Sequence, residues 1–153
     1  MGIRGARRIG GAEFAWGDEF APEGRQMANT WQGEFPWQNL GADGFERTSP
    51  VGVFPANGYG LFDMAGNVWE WTTDWFSARH LLNSESPCCV PRNPREASLD
   101  PVQPQFSIPH KVVKGGSFLC APNYCRRYRP AARHAQMVDS GMSHIGFRCV
   151  VRA

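Results

Sequence analysis

The sequence contains no long hydrophobic run and carries little net charge. No apolar stretch approaches the roughly 18 residues that a membrane-spanning helix requires, so we expect no membrane partner. No apolar segment follows the basic N-terminus, as it would in a secretory signal, and we therefore expect a cytoplasmic protein. The 16 Lys and Arg residues nearly balance 14 Asp and Glu residues, with a formal net charge of +2. This balance argues against a nucleic-acid-binding protein defined by bulk charge.

Cysteine is sparse and odd in number, with Cys88, Cys89, Cys120, Cys125 and Cys149. A disulfide-stabilised secreted domain would carry more cysteines, and an even number of them. We therefore expect at least one thiol without a partner in the chain. The adjacent Cys88 and Cys89 are interpreted as two thiols on a loop, with a vicinal disulfide as the rarer alternative.

Periodic hydrophobic patterns are scarce as well. Glycine occurs 17 times and proline 12 times. Proline removes a backbone donor and glycine tolerates positive φ, so long regular elements are disfavoured. We expect a coil over 20–60, packed by aromatic side chains, and a proline-rich surface insertion over 77–108. Residues 1–12 are basic and glycine-rich and are predicted to be a disordered or unrelated remnant before a domain over 13–153.

Short strands are predicted where β-branched and aromatic residues cluster, at 68–73, 111–114 and 145–152. In the last of these, alternation places Phe147 with Cys149 and Val151 on one face. The run 129–135 suits either a helical turn or a strand.

The densest reactive chemistry lies in residues 114–125, which read Lys-Gly-Gly-Ser-Phe-Leu-Cys-Ala-Pro-Asn-Tyr-Cys. Cys120 and Cys125 suit a local disulfide, half of a zinc site, two buried thiols or a two-sulfur site for a soft ion such as Cu(I). No second cysteine or histidine pair completes a zinc site. Arg126 and Arg127 follow directly and favour the thiolate form.

Ser117 lies three residues before Cys120. As a hydrolytic nucleophile it would need a base, for which His110 and His134 are the nearest candidates, yet no local triad signature is present. Two roles for the Ser117 hydroxyl fit the sequence equally well: it could position a ligand, or it could cap the end of a strand.

Two loops carry the oxygen-bearing residues that Ca²⁺ takes as ligands. One is bracketed by 29–30 and 43–45, and the other spans 63–70. Neither matches an EF-hand, and ordinary turn chemistry also accounts for Asn, Asp and Gly at these positions.

Several segments together resemble the formylglycine-generating enzymes, also called sulfatase-modifying factors. The matching segments are Ala-Asn-Thr-Trp-Gln-Gly-Glu-Phe-Pro at 28–36, Asn-Gly-Tyr-Gly-Leu-Phe-Asp-Met-Ala-Gly-Asn-Val-Trp-Glu-Trp at 57–71, Lys-Gly-Gly-Ser at 114–117, the run 120–129 and Gly-Phe-Arg-Cys at 146–149. The Gly-Asn-x-Trp-Glu-Trp and Gly-Gly-Ser motifs are shared by the wider superfamily. The cysteine pair is more specific, because it belongs to the catalytically competent branch.

The resemblance implies a copper-dependent oxidase that uses O₂ to convert a cysteine to Cα-formylglycine. The substrate would be a Cys-x-Pro-x-Arg segment of an unfolded sulfatase polypeptide. Cys120 and Cys125 would hold Cu(I), the substrate cysteine would join as a third sulfur ligand, and Ser117 would help to position substrate or oxygen species.

The resemblance also implies structural Ca²⁺ at two sites. The first would be formed by Asn29, Thr30, Asp43 and Phe45, the second and fourth through their carbonyls. The second would be formed by Asp63, Gly66, Val68 and Glu70, with Gly66 and Val68 giving carbonyls. The implied fold is α+β, irregular, low in secondary structure and related to C-type lectins.

One departure from the family is length, since its members are much longer and carry an Arg-Leu-Pro-Thr-Glu-Ala-Glu-Trp-Glu-type segment that is not found here. We therefore expect residues 13–153 to be the C-terminal part of such a domain, truncated at the N-terminus. The chain would then be a fragment, the product of a misassigned start, or one piece of a split gene in which a companion chain supplies the remainder. Cys149 would then be the orphan thiol, because its family counterpart pairs within that remainder. The alternatives are an inactive fragment, a non-catalytic lectin-like ligand-binding module, and an accessory domain of a sulfur–carbon bond-forming iron oxygenase. The last two usually lack the cysteine pair.

Overall fold

The computed structural model describes residues 11–76 and 108–151. Within these ranges the chain forms four short strands and one 3-10 turn, and no α-helix. The elements are the 3-10 turn Pro22–Gly24, β1 (Trp69–Trp75), β2 (His110–Lys114), β3 (His134–Met137) and β4 (Ile145–Gly146). The low content of regular structure agrees with the irregular, lectin-like expectation, whereas the helical part of the α+β prediction is not found in the described ranges.

Two predictions fall largely outside the described residues. These are the N-terminal remnant, apart from residues 11 and 12, and the proline-rich insertion that contains Cys88 and Cys89. Among the residues that are described, no helix is long and apolar enough to cross a membrane.

The four strands form one sheet in the order β3-β2-β1-β4. β1 pairs antiparallel with β2, with Trp71 opposite Val113, and parallel with β4, with Trp69 opposite Ile145. β2 pairs antiparallel with β3 along its length. The sheet therefore brings together three distant parts of the chain, and the segment that follows β2 carries the reactive residues.

The predicted strands at 68–73 and 111–114 are confirmed as β1 and β2. The undecided run 129–135 contains a turn, in which the Ala132 amide donates to the Arg129 carbonyl at 2.9 Å, and then the start of β3. The predicted strand 145–152 is confirmed only over Ile145–Gly146, where it pairs with β1, and is wrong over 147–151. Arg152 lies outside the described residues.

The face predicted for that longer strand does not form either, since its members Phe147, Cys149 and Val151 are all exposed.

The core is aromatic. Phe14, Trp69 and Tyr128 are all at most 5% exposed and pack around the fully buried Val113. The Phe14 and Tyr128 ring centroids lie 5.9 Å apart. Large rings thus supply the buried area that the irregular coil cannot supply through regular elements.

Backbone hydrogen bonds tie the coil to the loop before β1. The Asn67 amide donates to the Asn29 carbonyl at 2.7 Å, and the Gly66 amide donates to the Gly115 carbonyl at 2.8 Å. The Asn67 side chain bonds both backbone groups of Ser49, which satisfies buried polar atoms on either side. These contacts fix both oxygen-bearing loops relative to the segment after β2.

Candidate active site

Two tight turns position the cysteines in the segment that follows β2. The Cys120 amide donates to the Ser117 carbonyl at 2.9 Å, and the Cys125 amide donates to the Ala121 carbonyl at 2.9 Å. These turns place the two sulfur atoms 2.7 Å apart. Both cysteines are free thiols, Cys120 buried and Cys125 half-buried.

The glycine pair before Ser117 allows a close backbone approach. Gly116 has φ +72, and a Cβ there would lie 2.9 Å from the Tyr128 backbone nitrogen. Only glycine meets both requirements without strain. The loop is therefore packed directly against the arginine-rich run that follows the cysteines.

The thiol pair is electrostatically asymmetric. A hydrogen bond from the Cys120 thiol lowers the pKa of Cys125 to about 6, and the backbone amide and guanidinium of Arg127 act in the same direction. The same hydrogen bond, together with burial, raises the pKa of Cys120. The pair can therefore hold one thiolate at neutral pH while the other sulfur keeps its proton.

The pair opens onto a cavity of about 230 Å³ that is also lined by Ser117 and His134. Ser117 is 1% exposed, and its Oγ accepts a hydrogen bond from the Leu119 amide at 3.3 Å. Within the described ranges Ser117 has no hydrogen bond to an imidazole, and His110 is not among the lining residues. The hydrolytic alternative for Ser117 therefore lacks its base.

Sequence reasoning missed the aromatic lining of this cavity. Trp69 packs against His134 with ring centroids 5.4 Å apart, and Phe35 stacks on Tyr124 at 4.5 Å. Burial, and secondarily the charge of Arg127, lowers the pKa of His134, which favours the neutral imidazole. Trp69 lies in the Gly-Asn-x-Trp-Glu-Trp motif and Tyr124 adjoins Cys125, which are local signals, but nothing local marks His134.

A larger cavity of about 400 Å³ lies elsewhere, between Phe14, Tyr59 and Lys114. No thiol or imidazole is among its lining residues. It is larger than the cavity beside the cysteines, but the reactive side chains line the smaller cavity.

The structure brings together the first predicted set of oxygen ligands. Asp43 accepts hydrogen bonds from the backbone amides of Thr30 at 3.2 Å and Phe45 at 2.9 Å. The Gln32 amide nitrogen lies between the Thr30 carbonyl and the Asp43 carboxylate. Asn29 is 1% exposed, and its Oδ1 is buried without a hydrogen-bond partner. A buried orphan oxygen in this set suits a cation ligand.

The second predicted set lines one cavity of about 550 Å³, which contains Asp63, Gly66, Val68 and Glu70. Here the carboxylates already have partners. Asp63 Oδ2 accepts from the Gly52 amide at 2.7 Å, and both oxygens of Glu70 accept from the guanidinium of Arg148. Arg148 also donates to the carbonyls of Phe62 and Asp63. Sequence reasoning gave Arg148 no role.

In the described ranges, no group of three or more His, Cys, Asp or Glu side chains is arranged to hold a metal ion. Any metal in this part of the chain would therefore depend on two thiols, or on carbonyl and amide oxygens with few carboxylates.

Residues 3–153 match the sulfatase-modifying factor enzyme 1-like domain family. A formylglycine-generating enzyme from Mycobacterium tuberculosis is 56% identical over 140 residues, which cover 91% of this chain and 44% of that protein. One from Thermomonospora curvata is 46% identical over 139 residues, covering 90% and 42%. A Bos taurus protein named inactive C-alpha-formylglycine-generating enzyme 2 is 32% identical over 142 residues, covering 91% and 37%.

Among solved structures, Treponema denticola variable protein 1 matches with a TM-score of 0.55 at 24% identity, covering 90% of this chain and 41% of that chain. This likeness concerns the fold alone. The chain spans less than half the length of the relatives it matches. The family match over nearly the whole chain, together with the identity to the bacterial relatives, shows that the chain belongs to the sulfatase-modifying factor enzyme 1-like family.

Proposed function

We propose that this chain carries the catalytic thiol pair of a formylglycine-generating enzyme. The reaction would convert the cysteine of a Cys-x-Pro-x-Arg segment in an unfolded sulfatase polypeptide to Cα-formylglycine with O₂. The observation that carries the proposal is the contact between Cys120 and Cys125, 2.7 Å apart, beside a cavity that Ser117 also lines. The bacterial relatives named formylglycine-generating enzyme support the reaction class, over the 44% of the longer protein that this chain matches.

Cu(I) is the proposed cofactor because the donor set suits it. Cu(I) prefers thiolate ligands, and the Cys120–Cys125 pair supplies two soft sulfurs, one of them with a depressed pKa. Since the sulfurs are in direct contact, admitting an ion between them requires one thiol to shift, and Cys125 is the less buried. Bound Cu(I) would supply the redox chemistry by which O₂ accepts electrons.

The residues of the chain would then bind and orient the substrate. The Ser117 oxygen accepts from a backbone amide, so its O–H remains available to donate to a group in the cavity. Trp69 and the stacked Phe35 and Tyr124 give the cavity apolar walls beside the sulfurs. The Arg127 charge favours the thiolate over the thiol.

The direct test is an aerobic incubation of the Cu(I)-loaded chain with a Cys-x-Pro-x-Arg peptide. Replacing CH₂–SH by CH=O, with sulfur leaving as H₂S and one oxygen atom as water, needs O₂ and two further electrons and protons, so a thiol reductant is included. Mass spectrometry should detect the aldehyde with the wild-type chain and with Cys149→Ser, the matched exposed-cysteine control. Cys120→Ser and Cys125→Ser should abolish conversion. Unchanged turnover in both variants would contradict the proposal.

Peptide binding without conversion, in a folded and copper-loaded chain, would favour the alternative of a non-catalytic ligand-binding module. The inactive relative at 32% identity makes this a concrete alternative. The fate of the Cys peptide distinguishes the two functions, because either protein could bind it but only an oxidase would convert it to the aldehyde. The same peptide with Cys replaced by Ser is the control, since it lacks the thiol that an oxidase converts.

We also propose that a companion polypeptide completes the enzyme, since the chain spans 44% of the Mycobacterium tuberculosis relative. Exposed apolar side chains such as Val51, Tyr59 and Val151, each more than 70% exposed, would be covered by such a partner. Adding the unmatched portion of that relative, produced separately, should raise turnover by the chain. An unchanged rate and no co-elution would contradict this part of the proposal.

Structural Ca²⁺ is proposed at the first oxygen set, at Asn29, Thr30, Asp43 and Phe45. The support is the buried Asn29 Oδ1 without a partner, beside the carboxylate of Asp43. Ca²⁺ takes six to eight oxygen ligands and would coordinate that oxygen. The ion would also stabilise the coil, which has few regular backbone hydrogen bonds between strands. The second set is arranged differently and does not suit the ion.

A further inference from the structure

The guanidinium of Arg148 lies among the oxygens of the second predicted calcium set. Its Nε donates to Glu70 Oε2 at 2.6 Å, and its Nη2 donates to Glu70 Oε1. The Nη1 donates to the Phe62 carbonyl and the Nη2 to the Asp63 carbonyl, each at 3.1 Å. One side chain therefore binds four oxygens, two from a carboxylate and two from the backbone.

This arrangement supplies positive charge and directional donors where a cation was predicted. The paired contact with Glu70 is the fork geometry in which arginine binds carboxylates most strongly. The Glu70 side chain is 19% exposed and the Arg148 side chain 38%, so solvent only partly screens the pair.

The two predicted sets differ in the state of their oxygens. In the first set, the buried Asn29 Oδ1 lacks a partner. In the second set, Glu70 is bonded through both oxygens and Asp63 through Oδ2, and none of its side-chain oxygens is a buried orphan. Only the first set therefore contains a buried side-chain oxygen without a hydrogen-bond partner, which a bound ion would coordinate.

We propose that Arg148 acts as the internal cation of the second set, so that the chain binds one Ca²⁺ at the Asn29 set and none at the Glu70 set. A Ca²⁺ ion at the second set would have to remove Glu70 from a bidentate partner. It would also place a divalent cation beside the displaced guanidinium, and repulsion between the two would oppose binding. The inference is independent of the oxidase activity and depends only on ion binding.

The experiment is equilibrium dialysis of the metal-free full chain against Ca²⁺, with the bound ion counted by elemental analysis. The wild-type chain should bind one equivalent, and Arg148→Gln, which frees Glu70, should bind one more than the wild type. Two equivalents in the wild type would overturn the proposal, as would no gain in Arg148→Gln. If the wild type binds no Ca²⁺ and Arg148→Gln binds one equivalent, the result would support exclusion of the ion from the Glu70 set by Arg148. It would contradict the assignment of Ca²⁺ to the Asn29 set.

Two further variants guard against a folding defect in Arg148→Gln. Glu70→Gln should retain the same calcium stoichiometry as the wild type, because Glu70 binds Arg148 rather than the ion, and loss of an equivalent would overturn the proposal. Arg126→Gln breaks the other ion pair in the described residues, with Glu13, and should leave calcium binding unchanged. Near-UV circular dichroism of each variant reports whether its tertiary packing is native.

Discussion

Gly66 is the residue at which the two oxygen-bearing loops come closest. Its φ is +73, and a Cβ there would lie 2.2 Å from the Asn29 carbonyl oxygen. Gly66→Ala should therefore lower the free energy of unfolding by at least about 2 kcal/mol, because backbone strain and a backbone clash act together. Urea denaturation of the two proteins, with a common slope, measures the difference.

Gly24 provides the matched control for Gly66, since its φ of +76 is nearly the same but no atom lies within 4 Å of the position of its Cβ. Gly24→Ala should cost only the backbone term, about 1 kcal/mol. Equal losses in the two variants would mean that the contact with Asn29 is not what requires glycine at 66.

At the scale of single elements, β2 contributes the most buried residue of the sheet. Val113 is 0% exposed and belongs to the aromatic core. Val113→Ala should lower the free energy of unfolding by about 2–3 kcal/mol, through lost burial and the cavity left behind. Thr73→Ala, at an exposed position of the neighbouring strand, should change it by no more than about 0.5 kcal/mol. Thermal or urea unfolding of both variants decides whether β2 is central to the core.

The strands differ in how far sequence alone predicts them, and the difference has a physical cause. β1 is rich in tryptophan and threonine, and β2 contains two adjacent valines, so local preference and tertiary pairing agree. β3 is His-Ala-Gln-Met, which has no strong preference, and it is extended because it pairs with β2. The prediction for β4 is too long because it follows the alternation of side chains, which indicates only that they share a face. A β-strand also requires backbone pairing with a neighbouring strand at each residue.

His134 on β3 makes stability depend on pH. Its pKa is lowered by burial and by the charge of Arg127, so the unfolded chain binds more protons than the folded chain below about pH 6.5. Stability should therefore fall as the pH is lowered through that range, since protonation favours the unfolded state. Denaturant midpoints at pH 7.5 and 5.5 should differ more for the wild type than for His134→Gln.

The slope that remains in His134→Gln is assigned to His144, whose pKa is lowered by burial, and to Cys125, whose pKa is lowered to about 6 chiefly by the hydrogen bond from Cys120; both make stability fall as the pH is lowered. His134→Gln with a pH dependence identical to that of the wild type would show that the imidazole at 134 is not the group that titrates.

At the scale of the whole molecule, the predictability of the site follows chain separation. Ser117, Cys120 and Cys125 lie within one short loop, so the sequence already placed them together. Other residues that contact the predicted site residues are distant in sequence. Arg148 bonds Glu70 across 78 positions, and no local pattern predicts such a contact. His134 reaches the cysteine cavity only through the pairing of β3 with β2. Local chemistry was therefore predictable, whereas contacts made by the sheet were not.

The Ca²⁺ proposed at the Asn29 set should stabilise the molecule as a whole, because the ion would bind the folded arrangement and not the unfolded chain. At a Ca²⁺ concentration of about 100 times Kd the gain is about 2.7 kcal/mol, which raises Tm by roughly 5–10 °C for a domain of this size. Chelation should remove that increment from the wild type, as differential scanning fluorimetry can measure. Asp43→Asn should melt at the same temperature with and without chelator, whereas Glu70→Gln should keep the full response, since its carboxylate binds Arg148. A wild type that melts identically under both conditions would remove the reason for assigning Ca²⁺ to Asn29 and Asp43.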